Sequence, residues 1–185
     1  MQTKKSLRQE MRSRLETLSP DERHQKSLRI QEKLFKLDAF RIARTVCFYV
    51  GTDTEVDTVP MIERSIRLGK RVLLPQVDLE NKKLKLFEIK DVRTQLLPGS
   101  LRILEPDPAK AKAASQNDVE CVIVPGMAFD AFKRRLGRGA GFYDRFLGQL
   151  PAGVFKVALA FSFQVFPEIP HEAHDQTLDA VLTDE

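Results

Sequence analysis

The stretch from Thr45 to Pro75 constrains the fold more than any other. "TVCFYV" (45–50) is short, β-branched and aromatic, "DTVPMIERSIRLGK" (57–70) spaces its apolar residues as a helix does, and "RVLLP" (71–75) is a second apolar run. A strand, a helix entered through Asp57 or Thr58 and closed by Gly69, and another strand make a β-α-β unit, whose two strands run parallel. Three more runs, "CVIVPG" (121–126), "VFKVALAF" (154–161) and "LDAVLT" (178–183), have the continuous hydrophobicity of strands covered on both faces. The predicted fold class is α/β: a single-domain layered fold over residues 1–185, with a mainly parallel β-sheet flanked by helices.

Ahead of this unit, Leu7, Met11, Leu15 and Leu18 recur at helical spacing, which puts Lys4, Lys5, Arg8, Arg12 and Arg14 on the polar side of an amphipathic helix. "SPDE" supplies Ser19 as an N-cap, Pro20 at the first helical position and Glu22 to complete a capping box, so a second helix runs through Leu28 to Leu37. Beyond the unit, "KLKLFEI" alternates like an edge or antiparallel strand. "LLPGSLRILEPDPAKAKAASQND" is dominated by loop formers and reads as a long surface excursion.

At 42% hydrophobic and 30% charged residues, the composition is that of a soluble globular protein, and no run approaches the roughly 20 apolar residues of a membrane span. The charged, Glu-containing N-terminus fits neither a signal nor a transit peptide, so the expected location is cytoplasmic. Cys47 and Cys121 sit inside strand-like runs and read as small buried hydrophobes. The net charge of +4 is gathered unevenly toward the basic N-terminal helix, which is either a docking face for a polyanion or a solvated helix face.

"KRRLGRGAGFYDRFL" (133–147) places Gly137, Gly139 and Gly141 at alternate positions, with Arg135 and Arg138 among them, just before a helical face of Tyr143, Phe146, Leu147 and Leu150. Such a connection follows the carboxyl end of the 121–126 strand, by way of a loop containing Phe129 and Asp130. Open α/β sheets bind ligands at that end of the strands. Alternate glycines can turn backbone N–H groups toward one anion, a helix start adds more, and arginines grip phosphate oxygens bidentately. The pattern is neither of the common glycine fingerprints for nucleotides. From the residues alone, a phosphate cradle, an ordinary flexible loop and an arginine-glycine segment for RNA all remain open.

"VPGMAFDAFKRRLGRGAGFYDRFL" resembles the signature of the 5-formyltetrahydrofolate cyclo-ligases, and the likeness extends to "KKSLR", "TEVDT" and "HDQTLDAVLTDE". Lys133 stands where the family commonly has glycine, and Phe142 where tyrosine is frequent. The resemblance implies ATP-dependent closure of 5-formyltetrahydrofolate to 5,10-methenyltetrahydrofolate, releasing ADP and phosphate. It implies that the γ-phosphoryl group moves to the formyl oxygen and that N10 then attacks the activated carbon. By the same resemblance Lys4, Lys5, Ser6, Leu7 and Arg8 contact ATP, as do Arg135, Leu136, Gly137, Arg138, Gly139, Ala140, Gly141, Phe142 and Tyr143. Val50, Glu55 and residues 138–142 line the folate side, Arg138 and Tyr143 are the catalytic candidates, and Asp144 and Asp175 are associated with Mg²⁺.

Further expectations follow for neighbouring residues. Glu55 would accept paired N–H bonds from a pterin edge, Asp57 is explained as a helix cap, and His171 and His174 read as surface loop residues. Arg12 and Arg14 are solvated charges. The expected partners are the two small-molecule substrates, with no nucleic acid and no membrane, and the chain is expected to be a monomer. A nucleic-acid module would instead bind in a steeply salt-dependent way without ATP, and a different ATP-dependent transferase would leave Glu55 without a role.

Overall fold

The computed structural model describes residues 3–99, 103–172 and 175–185. Helix α1 (Lys4–Glu16) starts at Thr3, whose hydroxyl accepts the Ser6 amide while the Ser6 hydroxyl accepts the Thr3 amide. Ser19 and Glu22 repeat this reciprocal cap at α2 (Pro20–Lys36), with Pro20 in the first turn. Helix α1 ends before Leu18, which is half-buried in the turn rather than on the helix as its spacing predicts. After the short α3 (Asp38–Ile42) come β1 (Thr45–Cys47), α4 (Val59–Arg67), β2 (Arg71–Asp78) and β3 (Lys83–Ile89).

Strands β4 (Leu96–Pro98) and β5 (Leu104–Pro106) pair as a hairpin, followed by β6 (Lys112–Ala114) and β7 (Cys121–Val124). Strands β8 (Ala128–Asp130) and β9 (Arg135–Leu136) form a second hairpin, and α5 (Phe142–Leu147), β10 (Phe155–Ala160), β11 (Val165–Phe166) and β12 (Ala180–Thr183) complete the path. The main sheet has the order β12-β10-β7-β1-β2-β3-β6. Its first five strands are parallel, and β3 and β6 extend it in antiparallel register, with Val72 opposite Ile89 and Phe87 opposite Ala113.

Alternation along the parallel strands sends side chains to both faces, as their unbroken apolar character requires. Val46, Val72, Ile123 and Val157 face a core shared with Leu7, Met11 and Leu15 of α1, Ile30 and Leu34 of α2 and Met61 of α4. Cys47, Leu73, Val122 and Ala158 face the other core, with Phe146 and Leu147 of α5. Each large apolar side chain buried in this way contributes roughly 1.5 to 3 kcal/mol, which ties the basic N-terminal helix firmly to the sheet. Both cysteines are buried free thiols, as expected. Among the described residues no helix is long and apolar enough to cross a membrane.

Three further expectations need correction. The run 45–50 forms only a three-residue strand, and Phe48, Tyr49 and Val50 stay buried beyond its end. The supposed surface excursion contains β4, β5 and β6, and it buries Glu105 and Ala111, because its hairpin folds back onto β2. Phe129 and Asp130 lie on β8, not in a loop. At α4, Asp57 Oδ1 accepts the Val59 amide at 3.2 Å. The Thr58 hydroxyl donates to the Tyr49 carbonyl at 2.6 Å and accepts the Gly51 amide at 2.9 Å, fixing the chain where it leaves β1.

Lys133 occupies the tight turn between β8 and β9 with φ +62°, a left-handed conformation that costs a residue bearing a Cβ roughly 1 kcal/mol or more. The turn cannot relax freely: the Lys133 amide donates to the Asp130 carbonyl at 2.9 Å and its own carbonyl accepts the Leu178 amide at 2.9 Å. Lys133→Gly is therefore expected to stabilise the protein by up to about 1 kcal/mol, the relieved strain exceeding the added entropy of the unfolded chain. Urea denaturation measures this, and a lower midpoint in the variant would show that the lysine is not strained.

Candidate active site

Along the sheet, β1 is flanked by β2 on one side and β7 on the other, so the strand order reverses between β1 and β7. A crevice opens at the carboxyl ends of strands at such a point. Tyr49 and Val50 lie past the end of β1, Pro125 and Gly126 past the end of β7, and all four line one largely apolar cavity. Pro75 and Val77 of β2, Leu84 of β3 and Ile103, Leu104 and Glu105 close its far side. The remaining wall is the glycine-rich segment from Arg135 to Asp144.

A second, polar cavity lies on the other side of that wall. Lys4, Lys5 and Arg8 reach it from α1, and Pro170, His171, Glu172 and Asp175 reach it from the segment before β12. Arg135, Gly137, Gly139, Gly141 and Asp144 line both cavities, so the glycine segment is a partition between them. Gly139 and Gly141 have φ +111° and +69°, conformations that a residue with a Cβ rarely adopts. Arg8 clasps the segment from the helix side, its Nε donating to the Gly137 carbonyl at 2.9 Å.

The charges at the partition are paired across long sequence distances. Arg135 has a side chain only 3% exposed, donates to Asp144 Oδ1 at 2.5 Å and to the Pro125 carbonyl at 3.2 Å, and its Nε has no partner among the described residues. Lys4 pairs with Asp175 at 2.7 Å and Glu172 at 3.2 Å. Burial pulls the Lys4 ammonium down, but these two carboxylates outweigh it and hold its pKa above the ordinary lysine value. In the apolar cavity Glu55 Oε1 accepts from Arg138 at 2.7 Å, while Oε2 accepts the Thr52 amide at 3.0 Å and the Thr52 hydroxyl at 3.2 Å. Burial pushes the Tyr143 phenol well above its ordinary pKa, with Cys47, Tyr49 and Glu55 adding to the rise and Arg135 opposing it, so it stays a neutral O–H donor.

The sequence candidates thus gather at one place, with informative exceptions. Leu7 is fully buried in the core and Ser6 serves the helix cap, so neither side chain lines the polar cavity; Lys4, Lys5 and Arg8 do. Arg14 is exposed, as expected, and also lies over the Phe163 ring at 4.8 Å. His171 borders the polar cavity, and His174 falls outside the described residues. Asp144 and Asp175 line the same cavity, each answered by a cation, and no group of three metal-ligating side chains occurs among the described residues. Tyr49 and Glu105 were missed by the sequence reading.

Residues 1–184 match the model of the 5-formyltetrahydrofolate cyclo-ligase family. The chain belongs to this family. Its members are ligases that convert 5-formyltetrahydrofolate to 5,10-methenyltetrahydrofolate using ATP. The chain is 29% identical to the mouse cyclo-ligase over 97% of its own length and 92% of the mouse protein, and 30% identical to that of Escherichia coli K12 over 94% and 96%. The solution structure of the Aquifex aeolicus 5,10-methenyltetrahydrofolate synthetase superposes with a TM-score of 0.85 at 31% identity, covering 98% of this chain and 90% of that one. A Mycoplasma pneumoniae synthetase at 23% identity shares the fold with a TM-score of 0.81 over the full length of both chains.

Asp144→Asn keeps the shape but removes the charge facing a buried guanidinium that cannot shed its proton. The variant is expected to lose about 1 to 3 kcal/mol of stability, read as a lower urea midpoint, so its turnover has to be measured where it remains folded. An unchanged midpoint would show that the Arg135–Asp144 pair contributes nothing to the fold.

Proposed function

We propose that the chain, as one domain, performs the cyclo-ligase reaction with ATP in the polar cavity and 5-formyltetrahydrofolate in the apolar one. What carries this reading is the partition: cations from α1 stand on one side of a wall made largely of glycine, and an apolar cleft stands on the other. A formamide oxygen is a poor leaving group. Its attack on the γ-phosphorus forms a C–O–P linkage and expels ADP; N10 then attacks the formyl carbon, the C–O bond breaks with release of phosphate, and N10 loses its proton. The negative charge moved in both steps needs fixed positive partners more than it needs covalent chemistry from the protein.

Lys4, Lys5 and Arg8 supply those partners from the helix, and Arg138 and the Tyr143 O–H supply them at the reacting end. Ser6, Leu7, Leu136, Ala140 and Phe142 are assigned to nucleotide contacts by family resemblance, and through their backbone where the side chain is committed elsewhere. Glu55, with Val50 beside it, reads the pterin edge, and Arg138 holds its carboxylate toward the cleft. Asp144 and Asp175 are hard oxygen ligands on the ATP side and suit Mg²⁺, which takes most of its remaining ligands from phosphate and water and would neutralise phosphate charge there. We read the enzyme as a cytoplasmic monomer; two free buried thiols fit a reducing compartment.

Mixing the protein with Mg-ATP and 5-formyltetrahydrofolate and following the methenyl chromophore tests the assignment, and no product with either ligand saturating would reject it. Gly139→Val is expected to abolish ATP binding, because valine resists φ +111° and would turn the partition from its present course, although its Cβ would only touch the Arg8 guanidinium, at 3.6 Å. Ala140→Ser is expected to be nearly silent. Glu55→Gln should raise the folate KM about tenfold, equivalent to roughly 1.4 kcal/mol, and leave direct ATP binding within about twofold. Equal weakening of both ligands would place Glu55 outside pterin recognition.

A further inference from the structure

Glu105 is the one buried acid of the apolar cavity whose charge the fold leaves without an ionic partner among the described residues. It sits on β5, is 4% exposed, and its Oε1 has no hydrogen-bond partner among the described residues. Burial pushes its carboxyl above the ordinary glutamate range, and the Val77 backbone amide offsets only part of that. A buried acceptor without a partner destabilises the fold, so an apolar side chain here would make a more stable protein.

The surroundings accommodate this carboxylate specifically. A Cβ built on Gly99 would stand 2.3 Å from Glu105 Cδ and 2.6 Å from Oε2, so the bare glycine of the β4–β5 hairpin leaves room for it. The Gly99 amide donates to the Ile103 carbonyl at 2.8 Å, which fixes the hairpin around that contact. The other carboxylates of the cavity are already committed: Glu55 has Arg138 on one oxygen and Thr52 on the other, and Asp144 faces Arg135. Of the three, only Glu105 has a buried oxygen without a hydrogen-bond partner among the described residues.

We propose that Glu105 is a substrate-recognition residue, its free oxygen accepting an N–H of the reduced pterin. The inference rests on the folate reading of the apolar cavity. The ligand's chemistry selects the pterin end, because the ring system presents N–H donors along its edges, whereas the glutamate tail ends in carboxylates that a buried carboxylate repels. Glu105 therefore orients the ligand as well as holding it: pterin toward β5 and Gly99, tail toward solvent. A hydrogen bond that exists only with substrate present also explains why the fold tolerates a buried acid that weakens it.

Glu105→Leu and Glu105→Gln test this by three measurements: the thermal midpoint, titration with 5-formyltetrahydrofolate in the absence of ATP, and titration with ATP alone. The leucine variant is expected to melt at a higher temperature than the parent, to bind folate at least tenfold more weakly and to bind ATP within twofold. The glutamine variant, which keeps a carbonyl acceptor but not the charge, is expected to weaken folate by a smaller factor, and it decides the matter if the leucine variant does not fold. Folate affinity within twofold of the parent in the folded variants would overturn the proposal, as would an equal loss of ATP affinity. Turnover by the unaltered protein separates the two readings: absence of methenyl product there rejects the cyclo-ligase assignment, whereas the Glu105 variants are judged on binding.

Discussion

A guanidinium keeps its proton at any accessible pH, so a buried arginine obliges its neighbours to answer its charge. Arg135 is in that position at the junction of β9 and the glycine segment. Asp144 in the first turn of α5 and the Pro125 carbonyl at the end of β7 both answer it. Three elements distant in sequence are thereby held to one point, and the glycines between Arg135 and Asp144 must span the gap. The carbon of a Cβ at Gly137 would fall 2.7 Å from Arg135 Nη1, so the same arginine that anchors the segment also excludes side chains from part of it.

Charge arrangement around this anchor follows a consistent rule. On the polar side each acid has a basic partner, Lys4 for Asp175 and Arg135 for Asp144, and on the apolar side Arg138 serves Glu55. An anionic ligand with a bound cation can exchange places with such pairs at little net cost, since charges are swapped rather than newly buried. Glu105 departs from the rule, and it is the residue that a neutral ring with N–H donors would satisfy.

The layered sheet was legible because period and apolar continuity are local properties: 121–124, 155–160 and 180–183 could be read as strands without knowing their neighbours. The Ser19–Glu22 cap of α2 was legible for the same reason. The β4–β5 hairpin was not, since Pro98, Gly99 and Pro106 are turn formers and its pairing depends on packing against β2, which no short window contains. The β8–β9 hairpin was hidden by strands of three and two residues. Among the site residues, the glycine spacing pointed to a ligand loop, and the family resemblance supplied Glu55 and the two aspartates. Arg138 was read from the sequence, but its pairing with Glu55 spans 83 residues, and Glu105 is one acid in a polar stretch, so neither that pairing nor Glu105 had a sequence signal to find.

Under the proposed placement of ATP and folate, the partition also bears on why this fold suits group transfer between two ligands of opposite character. A triphosphate requires a solvated, cationic surround, and a reduced pterin requires an apolar cleft, yet reacting atoms must approach to about 3 to 3.5 Å. Any ordinary wall of side chains would hold the two ligands farther apart than that. At Gly137, Gly139 and Gly141 the wall is a single layer of backbone, and two of these residues adopt positive φ, which turns the chain where a substituted residue would not follow. Arg8 and Arg135 stiffen that layer from the two ends. The glycines are thus required less for flexibility than for thinness, and the arginines keep so thin a wall in place.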